Sequence, residues 1–109
     1  MYEGCKAELK MVRTLSIDAV FDEEIRNCKI YKYDAEGDYM QLLLENGNLA
    51  DISLDAKYDC WIMMKKESIS CSGVVRERFH CDKGSMLIFE IENGFYNRFT
   101  GEKDPADEK

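Results

Sequence analysis

Asp51, Ser53 and Asp55 stand on alternate positions in the stretch LADISLDAKYDCWI, Leu49 to Ile62. A carboxylate and a hydroxyl so spaced can meet the hydrogen-bonding edge of a base. They can equally close a turn by accepting from nearby backbone N–H groups. An anionic ligand would call for arginine, whose planar fork matches phosphates and guanine edges. The chain has five: Arg13, Arg26, Arg76, Arg78 and Arg98. Alternation along one predicted strand puts Arg76 and Arg78 on the same face, either as a cationic patch or as ordinary solvated side chains.

Other chemistry finds less support. The single histidine, His80, adjoins Cys81, but no two of the five cysteines have the short spacing of a zinc knuckle. Nucleophilic catalysis needs an activating base and an orienting partner, and no such context surrounds His80, Asp82 or any thiol. The acidic run FDEE, residues 21–24, reads as a solvated face. There is no phosphate-binding glycine loop and no metalloprotease helix. The expectation is a non-catalytic protein with no metal and no cofactor.

A chain of 109 residues has room for one core. With 45% hydrophobic and 34% charged residues it has the composition of a folded domain. A net charge of −7 repels a phosphate backbone, so a nucleic-acid polymer is excluded as a general partner. No apolar run reaches the roughly 20 residues that would cross a bilayer. The start, MYEGCKAELK, lacks the apolar core of a signal peptide, and an odd cysteine count suits reduced thiols, so a cytoplasmic protein is expected.

The elements that must position these residues are short and alternate with period two. KAELKMV sets Ala7, Leu9 and Met11 against Lys6, Glu8 and Lys10. CKIYKY and YMQLLLE form a hairpin about Gly37, and Asn46-Gly47 marks another turn. YDCWIMM, ISCSGVVRERF and MLIFEIE supply three more strands, with Ile69, Cys71, Gly73, Val75 and Phe79 on one face of the second. Gly73 suggests a bulge or a bend. Asn93-Gly94 reads as a turn, after which Phe95, Tyr96 and Phe99 are available to plug the core. Residues 14–27 carry a helical stripe of Ile17, Val20, Phe21 and Ile25, but an irregular connection with at most one helical turn is favoured. The fold expected is all-β: a small antiparallel six-stranded barrel over residues 1–100, with a polar tail at 101–109.

DISLDA, residues 51–56, resembles the [D/N]-x-S-x-x-G signature of the PilZ family, with Asp51 and Ser53 in place and Ala56 at the glycine position. The strand order that follows is also similar. The resemblance implies a PilZ-like split barrel in which the turn meets a guanine of cyclic di-GMP, while an upstream R-x-x-x-R segment holds the phosphates. No R-x-x-x-R occurs here; Arg26 is followed three residues later by Lys29, which lacks the guanidinium fork. The expectation is therefore a bacterial signalling adaptor acting through protein contacts, with impaired or absent cyclic di-GMP binding. Asp51, Ser53, Arg26, Arg76 and Arg78 are its candidate ligand residues. Alternatives are a homodimeric assembly module joined at an open sheet edge, and a cyclic di-GMP receptor with a non-standard arginine set. Trp61, Tyr31, Tyr33 and Met63 are candidates for an apolar contact patch.

Overall fold

The computed structural model describes residues 2–97. Six antiparallel strands close on themselves: β1 (Lys6–Thr14), β2 (Arg26–Asp34), β3 (Tyr39–Leu44), β4 (Ala56–Met63), β5 (Ser68–Cys81) and β6 (Gly84–Asn97). Around the barrel the order is β1-β2-β3-β6-β5-β4. Closure comes from β1, which pairs with β2 along one side and with β4 along the other, from Lys6↔Met63 to Thr14↔Ala56. The all-β barrel expected from the alternating strands is the fold observed. The ladder between β1 and β4 is closed, so the edges of these two strands are paired within the chain.

The inward faces make the core. β1 buries Ala7, Leu9 and Met11, and β4 buries Tyr58, Cys60 and Ile62 with Ala56 beneath them. Met40 and Leu42 of β3 and Leu87 and Phe89 of β6 complete the interior. Among the proposed patch residues only Tyr31 is exposed, at 44%. Trp61 and Met63 are half-buried, and Tyr33 packs edge-on against Tyr2 with ring centroids 5.1 Å apart.

β5 departs from simple alternation. A bulge between Val75 and Glu77 puts Val75 opposite Phe89 but Arg78 opposite Leu87. Both Phe89 and Leu87 are fully buried, so Arg78 joins the inward face. Arg76 turns outward to pair with Glu90. The two arginines are therefore on different faces, and Phe79, expected to share a face with Ile69, Cys71, Gly73 and Val75, is 39% exposed. Gly73 sits beside another register shift, where a Cβ would collide with the Glu90 carbonyl and come within 3.1 Å of the Ile91 Cα.

Two local expectations change. In the β2–β3 hairpin the left-handed residue is Asp38, at φ 57°, while Gly37 donates its N–H to Asp34 at 2.9 Å. Asn93-Gly94 is not a turn; β6 runs through it, with Asn93 opposite Ser72. Residues 15–25 form the irregular connection that was favoured, and among the described residues the helical turn lies at Leu49–Asp51. The proposed plug of Phe95, Tyr96 and Phe99 and the tail at 101–109 lie outside the described side chains and residues.

Candidate functional site

The crossover from β3 to β4 spans one mouth of the barrel. It begins at Asn46-Gly47, where Asn46 accepts from the Asn27 N–H at 2.6 Å and Gly47 takes φ 82°. The chain then makes its 3-10 turn, Asp51 N–H donating to the Asn48 carbonyl and Ile52 N–H to that of Leu49. Ile52, fully buried, drops into the core as the anchor. The polar side chains of the crossover accept from backbone N–H groups that no ladder reaches.

Asp51 accepts from the Asn48 N–H at 3.0 Å, and the Ser53 hydroxyl accepts from the Asp55 N–H at 3.0 Å. Ser53 in turn donates its own N–H to the Tyr58 hydroxyl, also at 3.0 Å. Burial pushes the Tyr58 phenol above its ordinary value, against the opposing pull of that N–H and of Arg26 and Arg78. It therefore stays neutral and available as an acceptor at neutral pH.

A cleft of about 530 Å³ opens beside the crossover. Four of the five residues singled out from the sequence line it: Arg26, Asp51, Ser53 and Arg78. The fifth, Arg76, does not; its side chain is 59% exposed and engaged with Glu90. Folding thus collects residues from β2, the crossover and β5 that lie up to half the chain apart.

Inside the cleft wall both guanidinium groups make contacts within the chain. Arg26 directs Nε and Nη2 to one oxygen of Asp22, each at 2.9 Å, and its Nη1 lies 3.8 Å from Asp51. A Cβ at Gly47 would sit 3.0 Å from that Nη1, so the backbone closes the remaining side. Arg78 donates Nη1 to the Leu49 carbonyl at 3.1 Å and to that of Ile52. These contacts bind the crossover to β2 and β5, and the Nε–Nη2 fork of Arg26 is committed to Asp22. Asp22, Asp51 and Asp55 also outnumber the two arginines along the lining, so the cleft does not favour an anion.

Sequence reasoning missed two parts of this site. Asp22 was read with FDEE as a solvated face, yet it is mostly buried against Arg26; its spacing of four from that arginine was the available signal. The larger omission is the β1–β2 connection. Ile17 is 99% exposed and Val20 83%, with Leu15, Phe21 and Leu54 around them at 42–51%. Val20, Phe21 and Leu54 also form part of the cleft wall. These apolar side chains therefore stand in water at the mouth.

His80 lies near the tip of the β5–β6 hairpin, its Nδ1 3.3 Å from the Ser85 hydroxyl. Among the described residues no three metal-ligating side chains converge. The described cysteines are free thiols. No helix among the described residues is long and apolar enough to cross a membrane.

Compared with family models, with curated proteins and with solved structures, the chain matches none.

Proposed function

We propose that this chain is a non-catalytic binding module that acts through protein contacts at the open mouth of its barrel. The observation that carries this reading is the apolar connection at Leu15, Ile17, Val20 and Phe21, left in water beside a cleft. Exposed apolar groups gathered in one place favour association, because covering them releases the water that hydrates them. A small ligand in the cleft would leave Ile17 uncovered, since that residue is not part of the cleft wall. A macromolecular surface covers both.

The resemblance of DISLDA to the PilZ turn fits the same role, as an adaptor that keeps the turn's shape without its nucleotide. Asp51 and Ser53 are committed to the crossover's own N–H groups, and Arg26 to Asp22. A cyclic dinucleotide would have to break these contacts before making its own.

Two measurements test the reading. Calorimetric titration with cyclic di-GMP, with GTP as control, is expected to give no saturable heat. Micromolar binding that is lost in the Asp51→Ala, Ser53→Ala double variant would replace the adaptor with a receptor. A photo-crosslinking residue at position 17, in the cells that make the protein, is expected to give a discrete protein adduct. The same residue at exposed position 36, in the β2–β3 turn, is expected to give none. Equal labelling from both positions, or none from position 17, overturns the adaptor.

A further inference from the structure

The mouth carries charge as well as apolar surface, and its sign narrows what can dock there. This inference rests on the proposed binding role and adds the chemistry of the partner. Around the apolar loop Asp18, Glu23, Glu24 and Asp55 are all exposed. Among the described residues none of the four makes an ion pair. Of the two arginines that flank the loop, Arg26 is already held by Asp22 and Asp51, and Arg13, exposed at the end of β1, is outnumbered by the four carboxylates. Arg78 is the cation of the opposite wall, and its guanidinium is turned to two carbonyl oxygens of the crossover. The surface is therefore apolar at its centre and negative at its rim.

We propose that this surface binds a basic, amphipathic segment of a partner protein. The segment's apolar side would cover Ile17, Val20 and Phe21 and reach into the cleft, and its lysines or arginines would meet Glu23, Glu24 and Asp55. The apolar contact supplies affinity, and the rim charges supply orientation and encounter rate. An acidic segment is disfavoured by like charge along the rim, and an anionic lipid surface for the same reason.

The probe is a synthetic amphipathic helix of leucine and lysine, titrated into the full chain and followed by fluorescence anisotropy. The control is the same peptide with glutamate in place of lysine. Saturable binding of the lysine peptide is expected, with no binding of the glutamate peptide. Raising salt from about 50 mM to about 300 mM should weaken binding severalfold. Ile17→Asp with Val20→Asp should weaken it at least about tenfold, and Glu23→Lys with Glu24→Lys by a similar factor. These positions are exposed, so thermal melting of each variant should match the parent. Equal binding of both peptides, or binding indifferent to the variants, overturns the proposal.

Vesicles of phosphatidylcholine, with and without phosphatidylserine, are tested in parallel. Adsorption to them that Ile17→Asp abolishes, without peptide binding, would make the mouth a lipid-facing surface and overturn the proposal. A crosslinked adduct from position 17 whose contacting segment is not basic would overturn this partner chemistry alone. Absence of any adduct would overturn the binding role beneath it.

Discussion

The wall formed by β4 and the first half of β5 and the mouth formed by residues 15–25 and 45–55 are made from similar amino acids and behave in opposite ways. In the wall, Tyr58, Cys60, Ile62, Ile69 and Cys71 face inward with little or no exposure, and a ladder from Tyr58↔Gly73 to Met63↔Ser68 holds them in register. In the mouth, Ile17, Val20, Phe21 and Leu54 are just as apolar and remain exposed. The mouth is ordered mainly by side chains reaching to backbone: Asp51 to Asn48, Ser53 to Asp55, Arg78 to Leu49 and Ile52. A ladder repeats one interaction many times and survives the loss of any one side chain. A mouth tied by single side chains depends on each of them, and keeps its apolar groups free for something outside the chain.

The contrast is most easily broken in the wall. Gly73→Ala places a methyl against the Glu90 carbonyl, and backbone on both strands must move to admit it. A loss of about 3 kcal/mol is expected from such overpacking, read as a lower urea midpoint. An unchanged midpoint would mean that the β5–β6 approach is looser than described.

Alkali should act on the core next. Burial, with a smaller contribution from Glu45, pushes the Cys28 thiol from its ordinary value of 9.0 up to about 12. Cys60 is raised as well, through its hydrogen bond with Cys71 and its burial. Below pH 9 these thiols are protonated whether the chain is folded or not, and stability is unaffected. Above it the unfolded chain ionises while the folded one does not, so stability falls until the folded value is passed. The slope should be about 1.4 kcal/mol per pH unit for each such thiol. Urea titrations between pH 8 and about 11 check this, and Cys28→Ala should flatten the curve.

The smallest effects separate the two arginines of β5. Arg78→Met removes the donor to two crossover carbonyls and should cost about 1 kcal/mol. Arg76→Met breaks only a surface pair with Glu90 and should change stability by no more than about 0.5 kcal/mol. Equal losses would contradict the bulge that turns these side chains to different faces.

Much of the wall was legible because a strand paired on both sides, with one face inside, must alternate. β1 and β4 show this without exception between Lys6 and Met11 and between Ala56 and Met63. The turn at Gly47 was legible too, since it needs the left-handed backbone that glycine adopts freely. The same reasoning failed at Asn93-Gly94, where a favourable turn pair was overridden by pairing with β5. It failed at Arg76 and Arg78 because a bulge depends on the neighbouring strand and leaves no mark in local alternation.

The candidate site divides in the same way. Asp51 and Ser53 were readable as a polar turn, since a run of short acceptors between apolar segments must satisfy its own backbone. That Arg26 and Arg78 reach the same turn was not readable, whereas the pairing of Asp22 with Arg26 left its signal in their spacing of four. The contacts of Arg26 with Asp51 and of Arg78 with Leu49 and Ile52 join positions 25 and more residues apart.

By itself the sequence determined an antiparallel barrel of alternating strands and a polar crossover between β3 and β4, because period-two burial and turn chemistry are properties of neighbouring residues. The tertiary structure alone decided which arginine faces the mouth and whether its charge is free. It also decided that the apolar loop would stay in water, because burial there depends on how much interior the closed barrel has left, and Ile52 already fills the place at the mouth.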